Sequence, residues 1–214
     1  MSSQTQQANR ILPKKLLSSS LDLMSHVASL LIKLKINPNA ISVAALIAGI
    51  GAGILFYLGK PLFAGLVIIL CGMLDILDGK VAVGTNRTSL FGAIFDSTLD
   101  RYSEFFMYIG LAAYFRNHWA LWVAILAFLG SAMVSYTRAR AEGLGIECKI
   151  GIMQRAERLV LLCCGSIIGS LAKIFDPVMI VILSAIALIS NFTAFQRTFY
   201  VKKIENLMNL KKED

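Results

Sequence analysis

The chain has 214 residues, of which 57% are hydrophobic and only 16% charged, with a mean hydropathy of +0.69. A soluble globular domain is usually about 45–50% apolar and about 25% charged, so the composition excludes an ordinary soluble domain, as well as disorder, collagen and coiled coil. On a soluble protein, the net charge of +8 would suggest binding to nucleic acid. On a chain this apolar it indicates the cytoplasmic face of a membrane instead, with no nucleic-acid partner.

The N-terminal region, residues 1–38, has the pattern of an amphipathic helix rather than of a span. Its first twenty residues contain no apolar run, so we expect no cleavable signal peptide. Apolar residues then recur at helical spacing, which predicts a juxtamembrane helix lying in the membrane interface, with an exposed linker as the alternative. Asn37-Pro38-Asn39 ends this helix and opens the next. The apolar face consists of Leu17, Leu21, Met24, Ala28 and Leu31.

Six apolar runs follow within residues 39–201, each bounded by glycine, proline or charge. Most reach about 20 residues, the length that crosses a hydrocarbon core of about 30 Å, and the fifth is short. We therefore predict an all-α integral membrane protein with six transmembrane helices, ending in a basic cytoplasmic tail at residues 202–214. The predicted spans are Ala40–Leu58, Pro61–Val83, Leu90–Phe115, Ala120–Ala141, Leu159–Ile174 and Val178–Phe199.

The distribution of basic residues predicts the orientation. An even number of crossings places both termini on one side, and most of the 21 Lys and Arg residues fall on that side. The opposite side receives only Lys60, Arg116 and Lys173. By the positive-inside rule both termini are cytoplasmic, and we expect a multi-pass protein of the plasma membrane.

Two pairs of glycines are spaced as small-xxx-small motifs, Gly49 with Gly53 and Gly165 with Gly169. In lipid such pairs mark close helix packing more often than chemistry. We assign them to structure, and a homodimer is a predicted assembly.

Acidic residues are concentrated where the apolar pattern predicts membrane helices. Asp75 and Asp78 are three residues apart near the end of the second span, and Asp96 and Asp100 are four apart on the third. Each pair therefore shares a helix face, and a short connection between the two spans would bring all four carboxylates together. An acid inside a span is costly and is by default a functional candidate.

Four carboxylates packed together would repel one another unless a cation lies among them. Oxygen-only ligands favour Mg²⁺, Mn²⁺ or Ca²⁺ over zinc, and the two histidines, His26 and His118, are distant in sequence. Two metal ions about 3.5–4 Å apart form a recurring phosphate-transfer arrangement. The alternative is that the acids form structural ion pairs with Lys80, Arg87 or Arg101.

Residues 75–100 carry a resemblance to a known family. The strings Asp75-Ile-Leu-Asp78-Gly79-Lys-Val-Ala82 and Gly92-Ala-Ile-Phe-Asp96-Ser-Thr-Leu-Asp100 resemble the signature of the CDP-alcohol phosphatidyltransferases. That signature reads Asp-x2-Asp-Gly-x2-Ala-Arg and then Gly-x3-Asp-x3-Asp. The family's arginine, which helps to hold the CDP-lipid diphosphate, is Val83 here. Arg87 and Lys80 are candidates to replace it.

The resemblance implies a role for each matching residue. Asp75, Asp78 and Asp96 would coordinate Mg²⁺ or Mn²⁺, as two ions, with Asp100 at the edge of the metal site and acting as general base. Gly79 would let the nucleotide approach the helix closely. Helix capping is a competing role for Asn39 and Ser89. The implied CDP-lipid contacts are Asn39, Ala40, Ile41, Ser42, Asp78, Gly79, Ala82 and Ser89.

Arginines near the cytoplasmic ends of the last three spans are candidates to bind the acceptor alcohol. The strings Arg-Ala-Arg-Ala-Glu-Gly-Leu at 138–144 and Arg-Ala-Glu-Arg-Leu at 155–159 resemble the phosphatidylinositol-phosphate synthase branch of the family. The resemblance implies that Arg138, Arg155 and Arg197 bind the phosphate of the acceptor. Plain positive-inside anchoring is the alternative for any one of them. Glu142 and Glu157 follow Arg138 and Arg155 closely, which suggests that they hold these arginines in position.

Together these features predict an enzyme that transfers the phosphatidyl group of CDP-diacylglycerol, or of its archaeal ether analogue, to a phosphorylated polyol. Inositol 1-phosphate is the favoured acceptor, and CMP is the second product. One alternative is the same reaction with glycerol 3-phosphate. The other is a divalent-cation transporter whose aspartates form the ion path.

Overall fold

The computed structural model describes the backbone of residues 14–213 and the side chains of residues 24–208. Within the described backbone the chain is entirely helical, with no strand. The seven helices are α1 (Lys14–Lys33), α2 (Pro38–Tyr57), α3 (Pro61–Gly84), α4 (Leu90–Tyr114), α5 (Ala120–Gly143), α6 (Arg155–Leu171) and α7 (Phe175–Glu213).

Local sequence signals set the starts of the helices that carry the site. Pro38 and Pro61 stand in the first turns of α2 and α3, where a missing backbone N–H has no consequence. The Asn37 side chain caps α2 by accepting from the Asn39 N–H at 3.0 Å. The Ser89 side chain caps α4 by accepting from the Gly92 N–H at 2.9 Å. The capping prediction is therefore confirmed for Ser89, whereas Asn37 rather than Asn39 caps α2.

The predicted spans match α2 to α5 within two residues at each end, but α6 and α7 differ. Helix α6 begins at Arg155, four residues before the predicted Leu159, because Gln154 and Glu157 form a capping box there. Helix α7 continues without a break through the predicted tail at residues 202–213. Its 39 residues extend over roughly 58 Å at 1.5 Å per residue, well beyond a hydrocarbon core.

Four of the described helices are long and apolar enough to cross a membrane: α2, α3, α5 and the Phe175–Met208 part of α7. Helix α4 carries Asp96, Asp100, Arg101 and Glu104, and α6 has only 17 residues. The structure is therefore that of an all-helical membrane protein, and the number of six spans stays a prediction.

Helix α2 lies between α3 and α4 and packs against both, while α6 packs against α3 and α7, and α5 packs against α4 and α7. The predicted glycine pairs lie in these contacts. A Cβ added to Gly53 would overlap the backbone of Phe106 on α4, and one added to Gly165 would overlap Ile182 on α7. These glycines therefore allow close helix packing within one subunit.

Helix α1 packs along α3. Met24 and Ala28 are buried against Ile41, Leu77 and Val81, and Lys80 Nζ donates to Ser25 Oγ at 2.8 Å. The backbone of residues 14–33 is thus helical rather than an exposed linker, and side chains from Met24 onward pack on α3. The side chains of Leu17 and Leu21, also predicted to lie on its apolar face, fall outside the described side chains.

Candidate active site

Three of the predicted aspartates meet between α3 and α4. One carboxylate oxygen each from Asp75, Asp78 and Asp96 lies within 4.8 Å of the other two. Helices α3 and α4 do not form one of the main packing interfaces of the described structure, since α2 packs against both. The carboxylates thus approach one another although α3 and α4 are not the directly adjacent pair that the short connection predicts.

Asp78 is the most buried of the three, with 5% of its surface exposed. Ser42, one turn into α2, donates its hydroxyl to Asp78 Oδ2 at 2.7 Å. The bond orients the carboxylate, which is the role that hydrogen-bonding groups have around metal-ligating side chains. Ser42, predicted from the resemblance as a CDP-lipid contact, thus lies at the acidic cluster.

Asp100 lies outside this cluster and faces arginines. Its Oδ1 is 2.7 Å from Arg155 Nη2, and its Oδ2 is 3.4 Å from Arg101 Nη1. The other end of the Arg155 guanidinium, Nη1, is 2.6 Å from Asp75 Oδ1 on α3. Arg155 therefore connects α6 with the acidic residues of both α3 and α4.

The ion-pair alternative accordingly holds for Asp100, which Arg101 contacts, whereas Asp75 pairs with Arg155, which was not among the predicted partners. Lys80 instead bonds Ser25, and Arg87 is exposed. Glu157 does not hold Arg155, as the sequence suggested, because its Oε2 accepts from the backbone N–H of Gln154 at 3.1 Å. Glu142 does hold Arg138, with 2.9 Å between Oε1 and Nε.

The residues present fit a divalent cation. Asp75, Asp78 and Asp96 offer only oxygen atoms, the ligands that Mg²⁺ and Mn²⁺ prefer. The two carboxylates of α3 and the one of α4 converge without a lysine or arginine bonded to Asp78 or Asp96 in the described contacts. A shared cation would relieve the repulsion among these three groups.

The three predicted acceptor arginines line one cavity of about 640 Å³ between α3, α5 and α6. Asp75, one of the three clustered aspartates, lines the same cavity as the arginines. Its remaining wall is largely apolar and includes Ile69, Met73 and Val160. The charged residues on its wall are Asp75, Arg101, Arg138, Arg155, Glu157, Arg158 and Arg197.

Arg197 is buried, and its guanidinium donates hydrogen bonds to backbone carbonyls. Its Nε donates to Ile150 O at 2.8 Å, and its Nη1 donates to Val134 O. Only Nη2 is left to face an anion among the described contacts. Gly151 (φ +134°) makes this arrangement possible, since a Cβ there would lie 3.2–3.3 Å from the Arg197 guanidinium.

The predicted CDP-lipid residues lie around the starts of α2 and α4. A Cβ added to Gly92 would lie 3.1 Å from Ser89 Oγ and 3.6 Å from Asn39 Oδ1, which places these three residues together. Ile41 instead packs in the hydrophobic cluster against α1 and α3. Ala40 is exposed and Ala82 half-buried.

The surface of α3 beside Asp78 is open. A Cβ added to Gly79 would meet no atom within 4 Å. Val83, which replaces the family's arginine one turn further on, is 69% exposed. A ligand can therefore approach this part of α3 closely.

Glu104 and Arg158 were not singled out from the sequence. Both are buried, and Arg158 Nη2 lies 2.9 and 3.1 Å from the two carboxylate oxygens of Glu104. The spacing contained a signal, because Glu104 follows Asp100 by four residues and Arg158 follows Arg155 by three. Each therefore continues a helix face that already carried a predicted residue.

Comparison with known proteins identifies the family of this chain. The family model described as CDP-alcohol phosphatidyltransferase matches residues 35–194. A relative named archaetidylinositol phosphate synthase, from Methanothermobacter thermautotrophicus, is 41% identical over 147 residues, covering 68% of this chain and 73% of the relative. The protein of the same name from Pyrococcus horikoshii is 33% identical, over 84% of this chain and 91% of that one.

Solved structures agree in fold. The Mycobacterium tuberculosis phosphatidylinositol phosphate synthase with CDP-DAG bound superposes with a TM-score of 0.77 at 25% identity, covering 84% of this chain and 94% of that one. The same enzyme in complex with manganese and citrate also gives 0.77, at 26% identity, over 83% and 88% of the two chains. The acidic motif, the helical fold and these matches agree, and the chain is a membrane enzyme that belongs to the CDP-alcohol phosphatidyltransferase family.

Proposed function

We propose that this enzyme transfers the lipid-bearing phosphoryl group of CDP-diacylglycerol, or of its ether analogue, to inositol 1-phosphate. The observation that carries the proposal is the shared cavity, where Asp75 of the acidic cluster and the arginines 138, 155 and 197 line one space of about 640 Å³. A donor held at the carboxylates and an acceptor phosphate held by the arginines would meet there. The names of the relatives support this choice of acceptor.

Asp75, Asp78 and Asp96 would hold Mg²⁺ or Mn²⁺, as two ions. The ions would neutralise the diphosphate of the CDP-linked lipid and the charge on departing CMP. Support comes from the oxygen-only donor set and from the manganese bound by the M. tuberculosis relative.

Asp100 would act as general base. A hydroxyl of the acceptor attacks the β-phosphorus of the donor, its proton passes to an Asp100 oxygen, and the bond to CMP breaks. Asp100 is suited to this role because it is not one of the three carboxylates proposed to hold the metal, and Arg155 lies 2.7 Å from its Oδ1. Arg155 would position Asp100 and bind the acceptor phosphate beside it.

The CDP group would lie along α3 and the starts of α2 and α4. Gly79 leaves open space beside Asp78, and Asn39, Ser89 and Ala82 would provide further contacts. Ala40 and Ser42 complete the proposed lipid-nucleotide contacts, Ser42 acting through Asp78, whereas the side chain of Ile41 is buried against α1 and α3. The exposed Val83 leaves the diphosphate without the family's arginine.

Helices α2 to α7 would form six spans, with α1 in the interface of the cytoplasmic leaflet. Helix α4 carries the charged residues Asp96, Asp100, Arg101 and Glu104 within its length, and the 17-residue α6 meets the lower limit of about 17 residues for a span. Both termini and the site would face the cytoplasm of a plasma-membrane protein, from which the polyol arrives, while the lipid enters from the bilayer. A homodimer is the proposed assembly.

Release of radiolabelled CMP tests the proposal. Purified protein is given ester or ether CDP-lipid and Mg²⁺ or Mn²⁺, with inositol 1-phosphate, glycerol 3-phosphate or free inositol as acceptor. We expect release with inositol 1-phosphate. Preference for glycerol 3-phosphate would support the alternative acceptor instead. Absence of CMP release with every acceptor, together with uptake of Mn²⁺ by vesicles containing the protein, would favour the transporter.

A further inference from the structure

A second ion pair runs parallel to the one at the proposed general base. On α4, Glu104 lies one turn beyond Asp100, and on α6, Arg158 lies one turn beyond Arg155. Arg155 pairs with Asp100 at 2.7 Å and Arg158 pairs with Glu104 at 2.9 Å. The two helices are therefore joined by two consecutive arginine–carboxylate contacts.

The second contact is closed off from solvent. Arg158 is 1% exposed and Glu104 is 3% exposed. Ser131 on α5 donates its hydroxyl to Glu104 Oε2, so the carboxylate receives donors from two other helices. Removing either charge would leave the other buried without its partner, which is strongly unfavourable.

The pair is not arranged for stability alone. Within the described structure, Arg158 Nε and Nη1 are buried and have no hydrogen-bond partner. A buried ion pair with unsatisfied N–H groups contributes less to stability than apolar residues of the same volume would. Arg158 nevertheless lines the same cavity as Arg155 and Arg197. This placement links the pair to the cavity rather than only to the helix packing.

We propose that Glu104 and Arg158 are positioning residues for the acceptor side of the reaction. Their contact holds α6 against α4 one turn from Arg155, and so holds the Arg155 guanidinium between Asp100 and the acceptor phosphate. This inference rests on the proposed function, in which Arg155 binds that phosphate. A loss of Glu104 should therefore weaken acceptor binding and leave donor binding intact.

The test compares Glu104→Gln, Arg158→Lys and Ser131→Ala with Tyr108→Phe. Tyr108 is the matched control, because its hydroxyl is buried next to the pair and has no partner in the described structure. We expect the KM for inositol 1-phosphate to rise about tenfold in Glu104→Gln, which removes the charge of the pair, and about threefold in Ser131→Ala, which removes one hydrogen bond to the carboxylate. Arg158→Lys retains the charge and should lie between these values. The KM for the CDP-lipid should stay within about twofold in all variants.

Calorimetry of inorganic phosphate binding in the presence of Mg²⁺ tests the positioning of Arg155 without requiring turnover. The phosphate Kd should rise in Glu104→Gln and Ser131→Ala and not in Tyr108→Phe. A lower unfolding temperature with unchanged phosphate Kd and acceptor KM would overturn the proposal and leave the pair purely structural. If Glu104→Gln does not fold, the phosphate Kd and the acceptor KM of Ser131→Ala test the proposal instead.

The two proposals fail separately. If the wild-type enzyme turns over only another acceptor, the proposed acceptor is wrong, and the phosphate Kd still decides the positioning role. If the wild-type enzyme binds no phosphate, the positioning role is overturned.

Discussion

The Arg155 guanidinium on α6 lies 2.7 Å from the Asp100 carboxylate on α4. The contact joins a residue expected to bind the acceptor with the residue expected to remove its proton. The Arg155 side chain is only 16% exposed and that of Asp100 13%, so the contact is largely shielded from solvent, and Arg155 also lines the cavity. With the proposed roles, the positions of acceptor phosphate and base would be coupled through the Arg155 side chain.

Arg155→Ala should raise the KM for the phosphorylated polyol much more than that for the CDP-lipid. Charged hydrogen bonds contribute about 1.5–3 kcal/mol, so we expect an increase of about tenfold to a hundredfold. Steady-state CMP release at varied acceptor and donor concentrations measures both constants. Arg116→Ala, an exposed arginine in the α4–α5 connection, is the control. An unchanged acceptor KM would count against the arginine site.

Asp75→Asn and Asp100→Asn should impair the enzyme in different ways. Asp75 belongs to the three-carboxylate cluster, so its amide variant should bind Mn²⁺ more weakly. Asp100 stands outside that cluster, so Asp100→Asn should abolish turnover while Mn²⁺ and CDP-lipid bind normally. Calorimetry of both ligands distinguishes the two variants, with Glu205→Gln on the exposed end of α7 as control. Equal loss of Mn²⁺ binding in both would contradict the division of roles.

Ser42→Ala should weaken metal binding although Ser42 is not one of the proposed ligands. The hydroxyl orients Asp78 through a bond of 2.7 Å, and losing such a support typically costs about 10–100-fold in metal affinity. We expect the Kd for Mn²⁺ to rise about tenfold, as measured by electron paramagnetic resonance. Thr198→Ala, which removes a hydroxyl bonded to its own helix, is the control. A change in the CDP-lipid KM alone would show that Ser42 contacts the donor directly.

Val83→Arg should tighten binding of the CDP-lipid. Position 83 is 69% exposed, so an arginine can be accommodated without a clash and can extend along the open surface beside Gly79. One new charged hydrogen bond to the diphosphate should lower the donor KM by about tenfold. Val83→Gln, which is long and polar but uncharged, is the matched control. Equal KM values for Val83→Arg and the wild type would mean that this position has lost the family role.

Much of the site could be predicted because its parts are local. The spacings of Asp75 with Asp78 and of Asp96 with Asp100 place each pair on one helix face whatever the rest of the chain does. The boundary of α6 could not be predicted as easily. Arg158 looked like the charged end of a span, whereas in the fold it is buried against Glu104, 54 residues away in sequence.

Composition by itself determined that this is an apolar, basic, helical chain, and the acidic motif determined the chemistry to which it is suited. Only the tertiary structure decided which charges meet. Arg155 contacts Asp75 and Asp100 rather than the neighbouring Glu157, and Ser42 reaches Asp78 from another helix. The reason is physical: periodicity along one helix defines its faces, but which face meets which depends on the packing of all the helices together.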